Sequence, residues 1–250
     1  PYLDFCPDII HCHDWQTGLI PVFLRTNYGS QDYYAGMKSV FSIHNLKFQG
    51  RWMLPEVMDI TGLPAQIFTS DKLEAYGEAN YLKGGLVYAN AITTVSKTYA
   101  DEIMTLEGGE GLHGLLSARR DDVYGIVNGL DYDVFNPETD KDIHQNFKLS
   151  NAKSGKKANK LALQKAFGLP EEEDTYLLGM VSRLTDQKGF DLVAYIMEEL
   201  LCTAKIQIIV LGTGEQRYEE MFRYFEHKYP NQIKAYIGYS EELAHRIYAS

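Results

Sequence analysis

The chain has 250 residues, enough for one large domain or two compact ones. Apolar residues make up 45% and charged residues 23%, a globular balance that excludes a collagenous or largely disordered chain. Lysines and arginines number 24 against 34 aspartates and glutamates, a net charge of −10. Such a chain repels nucleic acid on average, so an anionic ligand needs a local cluster of cations or backbone N–H groups. The longest apolar runs, such as 206–211, are far too short to span a bilayer, and no basic-then-apolar leader is present. Neither a nucleic-acid nor a membrane partner is expected. Cys6, Cys12 and Cys202 include no C-x-x-C pair and complete no disulfide framework, which points to a reducing, cytoplasmic setting.

Short β-rich runs at 8–12, 39–43, 91–95 and 123–127 each end in polar residues, with helices predicted between them at 18–26, 83–88 and 96–105. Residues 131–174 contain Asn136-Pro137, a polar stretch at 150–157 and Gly168-Leu169-Pro170. They read as a junction with a connecting helix over 158–167, stopped by Gly168 and Pro170. From there strand and helix alternate: strands at 176–184, 206–211 and 233–237, helices at 190–201, 215–226 and 241–249. Alternation with short turns predicts parallel sheets, so the fold class is α/β. The organisation is two Rossmann-like lobes, 1–130 and 175–250, flanking the junction at 131–174.

Ligands of open parallel sheets bind beyond the carboxyl ends of the strands. Arg183 stands at one such end and Lys188 just before the next helix, so both can point into one crevice. A forked guanidinium and an ammonium beside a helix N-terminus suit a diphosphate. If the diphosphate is a leaving group, they stabilise its developing charge. Spacing alone does not separate this from two solvated surface charges. Gly212-Thr213-Gly214 would let backbone approach phosphate, but the third fingerprint glycine would fall at Arg217, and a tight turn explains the pair equally.

His11 and His13 alternate at strand period and precede Asp14, a spacing that opens a metal site or an ordinary hydrogen-bonded strand. His44-Asn45, at another strand end, suits sugar hydroxyls or a reacting carbonyl. Trp15, Tyr33, Tyr34, Phe48 and Trp52 lie near these tails in sequence and either line a carbohydrate groove or pack. Asn128-Gly129 is a turn or an interlobe hinge. No serine elbow and no P-loop occurs.

Eight segments in order resemble the bacterial glycogen synthase and starch synthase family. They are Pro-Asp-Ile-Ile-His-Cys-His-Asp-Trp-Gln (7–16), Ser-Ile-His-Asn-Leu-Lys-Phe-Gln-Gly (42–50), Tyr-Leu-Lys-Gly-Gly-Leu (81–86) and Thr-Thr-Val-Ser-Lys-Thr-Tyr-Ala (93–100). Then come Gly-Leu-His-Gly-Leu-Leu (111–116), Ile-Val-Asn-Gly-Leu-Asp (126–131), Val-Ser-Arg-Leu-Thr-Asp-Gln-Lys-Gly (181–189) and Tyr-Ile-Gly-Tyr (236–239).

The resemblance implies a GT-B glycosyltransferase fold. It also implies retaining transfer of glucose from ADP-glucose, or UDP-glucose in some relatives, to the non-reducing end of an α-1,4-glucan. Arg183 and Lys188 would hold the diphosphate. His44 would meet the donor glucose, with Asp14 and Asn45 shaping that pocket. Asn128 would touch the donor, Tyr239 would lie against the base, and Trp15 and Gly212 would belong to the substrate-binding set. The expected partners are the nucleotide sugar and the glucan, with no catalytic metal and no cofactor.

The family's K-x-G-G-L loop would precede Pro1 and its E-x7-E segment would follow Ser250. Each lobe is therefore expected to be only partly present, and the isolated chain to be inactive. Three other readings compete: a noncatalytic sugar- or nucleotide-binding module, a metal-dependent hydrolase on His11 and His13, and a sucrose- or trehalose-type synthase of the same fold.

Overall fold

A computed structural model of the chain describes residues 5–250. It divides into two compact units, the first ending at Gly129 and the second starting at Leu130.

The first unit opens with β1 (Ile9–His13), α1 (Leu19–Thr26), the short α2 (Asp32–Ala35) and β2 (Lys38–Ile43). A small insertion follows: β3 (Arg51–Met53), α3 (Leu54–Thr61), β4 (Glu74–Ala75) and β5 (Glu78–Asn80). The unit closes with α4 (Tyr81–Tyr88), β6 (Ala91–Thr94), α5 (Lys97–Glu102), α6 (His113–Ala118) and β7 (Val123–Gly125). Strands β1, β2, β6 and β7 pair in that order, all parallel, while β3, β5 and β4 form a separate antiparallel sheet.

Helix starts in this unit follow side-chain caps. Asn80 accepts the Lys83 N–H at 2.9 Å, and Ser96 accepts the Tyr99 N–H at 2.9 Å, each satisfying a donor that the helix itself leaves open. The core under the parallel sheet is built from Phe41, Ile43, Leu82, Leu86, Ile92 and Ile103. It explains the paired glycines of α4, which cost helix propensity. A Cβ on Gly85 would stand 2.3 Å from the Phe41 ring, and one on Gly84 would stand 2.4 Å from Leu73. The neighbouring Lys83 is buried, and its ammonium donates to the carbonyls of Ser70 and Glu74, each at 2.5 Å. Burial lowers its pKa. The Lys-Gly-Gly string is thus a packing device that fastens the insertion to the sheet.

The second unit contains α7 (Ala152–Ala166), β8 (Tyr176–Val181), α8 (Phe190–Thr203), β9 (Ile206–Gly212), α9 (Gln216–Lys228), β10 (Ile233–Ile237) and α10 (Glu241–Ala249). The sheet is parallel in the order β10-β9-β8, and every residue of the central β9 is buried, as expected of a strand covered on both faces. Phe190, Met197, Ile208, Val210, Phe222 and Ile233 make its core.

Several elements differ from the sequence expectation. The insertion at 51–80 was not foreseen, because strands of two or three residues carry no readable period. Its helix α3 did carry signals, Pro55 at its start and Gly62 at φ 64° at its end. The connecting helix begins at Ala152, six residues before the expected 158, and the polar stretch read as linker is its first turns. Gly155 lets Phe147 pack against it, a Cβ there falling 2.3 Å from the Phe147 Cβ, and buried Asn159 donates to the Gln145 carbonyl at 2.7 Å. These contacts place the residues after Leu130 within the second unit. The strand expected at 123–127 ends at Gly125, where its pairing with β6 stops. The run expected at 176–184 is a strand only to Val181, after which Leu184 makes a single bridge to Gly214.

Candidate functional site

In the first unit the residues predicted at strand ends do meet. Asp14 follows β1 and His44-Asn45 follows β2, its parallel neighbour. One Asp14 carboxylate oxygen accepts the His44 N–H at 2.8 Å and the Asn45 N–H at 3.4 Å. Asp14 therefore shapes the loop that presents the imidazole. Its backbone stands at φ 54° and ψ −174°, a region that side chains rarely enter and that costs about 1–3 kcal/mol. Asp14→Ala loses the carboxylate and keeps the strain, whereas Asp14→Gly loses the carboxylate and relieves it. The glycine variant is expected to be the more stable of the two by about 1–3 kcal/mol in denaturant unfolding. Equal stabilities would contradict a strained Asp14.

His11, His13 and His44 form a ladder of rings, with centroids 4.2 Å apart for the first pair and 5.2 Å for the second. His13 Nδ1 and His44 Nε2 share a hydrogen bond of 2.9 Å. His11 Nε2 bonds Ser42 Oγ at 2.7 Å, and Ser42 in turn meets Thr93 at 2.5 Å. The histidines that the sequence offered as a metal pair thus spend ring nitrogens on hydrogen bonds.

Burial, followed by the nearby His13 and His44, lowers the pKa of His11. The folded state then binds fewer protons than the unfolded chain near and below pH 6.5, so this contribution is complete above that pH and is lost as the pH falls through the lowered value. Unfolding measured between pH 7.5 and about 5 should show a stability loss that His11→Gln reduces. An unchanged pH slope in that variant would remove His11 as a source.

The aromatic residues separate into groups. Trp15 lies on a 3-10 turn after β1, and its ring, the Trp52 ring and the Tyr81 ring follow one another at 5.2 and 4.6 Å, so Trp15 packs as well as flanking Asp14. Tyr33 and Tyr34 belong to α2, which precedes β2, so they sit toward the amino end of that strand and not beside its tail. Sequence proximity misled here, because the turn before a strand and the tail after it lie at opposite sheet edges. Asn128 and Phe48 are exposed.

In the second unit, a cavity of about 610 Å³ opens at the carboxyl ends of all three strands. Val181 and Arg183 come from the end of β8, Leu211, Gly212 and Thr213 from β9, and Gly238 and Tyr239 from β10. Among the described residues, the side chains of Arg183 and Lys188 have no hydrogen-bond or ion-pair partner, so both cations are free for an anion. Arg183 lines the cavity; Lys188, on the 3-10 turn at Asp186–Lys188, is exposed and outside its wall. Tyr239 is 80% exposed, and its hydroxyl donates to Glu241 at 2.7 Å, which raises its pKa.

Gly212 lines the cavity and also has a packing reason to be glycine. A Cβ there would fall 1.9 Å from the Ser182 carbonyl oxygen. The Gly214 N–H is already donated to Glu219 at 3.1 Å, and the Thr213 hydroxyl donates to the same oxygen at 2.6 Å. These bonds hold the Glu219 carboxyl below its usual range. The G-x-G string is therefore chiefly a tight strand–strand contact with an occupied turn.

The sequence reading missed the cavity wall formed by Asp131, Phe135, His245 and Tyr248. Phe135 stacks on His245 with centroids 4.9 Å apart, and buried His245 bonds Asp140 at 2.6 Å. Asp140, Asp142 and His245 also place their ligand atoms together, a grouping that does not involve His11 or His13. The signal lay in stretches read as junction and as plain helix face.

The parallel sheets and this strand-end cavity define an α/β protein, and the comparisons match its fold to the GT-B starch synthase catalytic domain. Residues 1–118 match the starch synthase catalytic domain. A glycogen synthase of Lachnospira eligens is 58% identical over 250 residues, all of this chain and 52% of that protein. One from Bacillus licheniformis is 48% identical over 248 residues, 99% of this chain and 51% of the relative. The catalytic domain of starch synthase IV from Arabidopsis thaliana, solved bound to ADP and acarbose, superposes with a TM-score of 0.89 at 33% identity. That match covers 98% of this chain and 50% of that one. The chain belongs to the glycogen synthase and starch synthase family, and it spans about half the length of the curated relatives it matches.

Proposed function

We propose that this chain is part of a retaining glucosyltransferase that moves glucose from ADP-glucose to the non-reducing end of an α-1,4-glucan. The observation that carries this is the unpartnered Arg183 guanidinium in a strand-end cavity, the geometry a diphosphate requires. The starch synthase neighbour bound to ADP and acarbose supports the choice of nucleotide and of a carbohydrate acceptor.

In this reading Arg183 and Lys188 balance the charge that grows on the departing diphosphate, and Tyr239 lies against the base. The bond from the anomeric carbon to the diphosphate oxygen breaks, and the acceptor hydroxyl forms the new bond on the same face. The hydroxyl proton passes to the leaving diphosphate. His44, held by Asp14, serves the donor glucose together with Asn45, Asn128 and Trp15. The cations supply the charge compensation, so the proposal includes no resident metal or cofactor. The reaction is placed in the cytoplasm, where no disulfide is needed; no helix of the described residues is long and apolar enough to cross a membrane.

The test extends the chain to the full length of its relatives and supplies glycogen with ADP-glucose or UDP-glucose. Glycogen-dependent release of nucleoside diphosphate with glucose incorporation is expected, faster from ADP-glucose. No release from either donor would overturn the proposal.

A further inference from the structure

The turn that carries Lys188 has one carboxylate, Asp186, two residues from the ammonium. An acid there opposes anion binding unless it is neutralised. Three side chains of the neighbouring α9 start converge on it. Arg217 Nη2 contacts Asp186 Oδ1, the Tyr218 hydroxyl donates to the same oxygen at 2.5 Å, and Glu215 accepts the Asp186 N–H at 3.1 Å. Arg217 Nε also donates to Glu215 at 3.0 Å, and its guanidinium carbon lies 4.6 Å over the Tyr218 ring. The Glu215 N–H donates to the Leu184 carbonyl at 2.7 Å, closing the connection at the other end of the turn.

Isolated surface ion pairs contribute little. This one is different in construction, because Tyr218 is a buried residue, 4% exposed, packed 5.6 Å from the Phe190 ring in the core. Its hydroxyl is spent on Asp186, and the bond pushes its pKa up to about 12, so it remains a donor across the physiological range. The turn is thus anchored to the core through Asp186, and Arg217 offsets that carboxylate while also pairing with Glu215 at 2.8 Å.

We propose that Asp186, Arg217 and Tyr218 are positioning residues that fix the Lys188 turn and mask its carboxylate, so that Lys188 meets the β-phosphate of a nucleoside diphosphate. This rests on the nucleotide reading above. Lys188 touches the ligand; the three residues act through it. Their effect should therefore be specific to ligands with a second phosphate, which a general loss of folding would not reproduce.

The test measures ADP and AMP binding to this 250-residue chain by calorimetry, with thermal unfolding alongside. Arg217→Met is expected to weaken ADP about fivefold and AMP less than about twofold, at unchanged Tm. Adding Asp186→Asn to it should restore part of the ADP affinity, since the acid nearest Lys188 is gone while Glu215 remains unpaired. In a Lys188→Ala background Arg217→Met should have no further effect on ADP. Tyr218→Phe, which keeps the core ring, should reproduce the ADP-selective loss. Equal losses for ADP and AMP, or a full additional loss without Lys188, would overturn the proposal. Absence of ADP binding by the unmodified chain would overturn the nucleotide reading itself and this inference with it.

Discussion

Arg183→Ala, made in a chain extended to the full length of its relatives, is expected to lower kcat/KM for ADP-glucose by about 2–4 kcal/mol of transition-state stabilisation. The reason is geometric. Arg183 is a cation that lines the cavity at the strand ends, and among the described residues no carboxylate or carbonyl is bonded to its guanidinium. Its whole donor fork is available to the charge that develops as the diphosphate leaves. Arg183→Lys should recover only part of the loss, because a single ammonium cannot reproduce two parallel hydrogen bonds. Steady-state kinetics with varied ADP-glucose checks both, and a kcat/KM unchanged by the alanine substitution would remove Arg183 from the mechanism.

Gly212→Ala is expected to have the largest effect on stability. The added methyl would be placed 1.9 Å from the Ser182 carbonyl oxygen, a backbone atom that cannot swing aside. Either β9 and the β8 tail separate or the pairing that leads to Arg183 is lost, at a cost of about 3 kcal/mol. In a unit of this size the Tm of the second unit should fall by roughly 10 °C or more. Gly36→Ala, with no atom within 4 Å of the new methyl, is the matched control and should change stability by less than about 0.5 kcal/mol. A Gly212→Ala chain as stable as the control would show that the close approach is not required.

The sequence was most legible where burial forces a period. The second unit's strands at 206–212 and 233–237 and the helices between and after them are continuous apolar or amphipathic runs, and they appear where expected. It was least legible where contacts are made by polar or small residues. The first turns of α7 are Ala, Lys, Ser and Gly, which read as linker until Phe147 and Gln145 are seen to pack on Gly155 and Asn159. The site divides in the same way. Strand-end logic put Asp14, His44, Asn45 and Arg183 at strand tails, and the structure has them there, at the edge where open parallel sheets bind ligands. It could not find Phe135 or His245, whose place in the cavity wall depends on how the segment after Leu130 folds back on α10. Nor could it show that Gly212 and Gly214 serve backbone packing, since the Ser182 and Leu184 carbonyls they face lie some thirty residues earlier.

The second unit's strand-end cavity is expected to receive a nucleoside diphosphate through Arg183. Titrating the isotope-labelled 250-residue chain with ADP and following its backbone and arginine side-chain resonances tests this most directly. Saturable binding at one site is expected, with the largest shifts at Arg183, Gly212, Thr213, Gly238 and Tyr239. An absence of saturable shifts, or shifts confined to residues of the first unit, would contradict it.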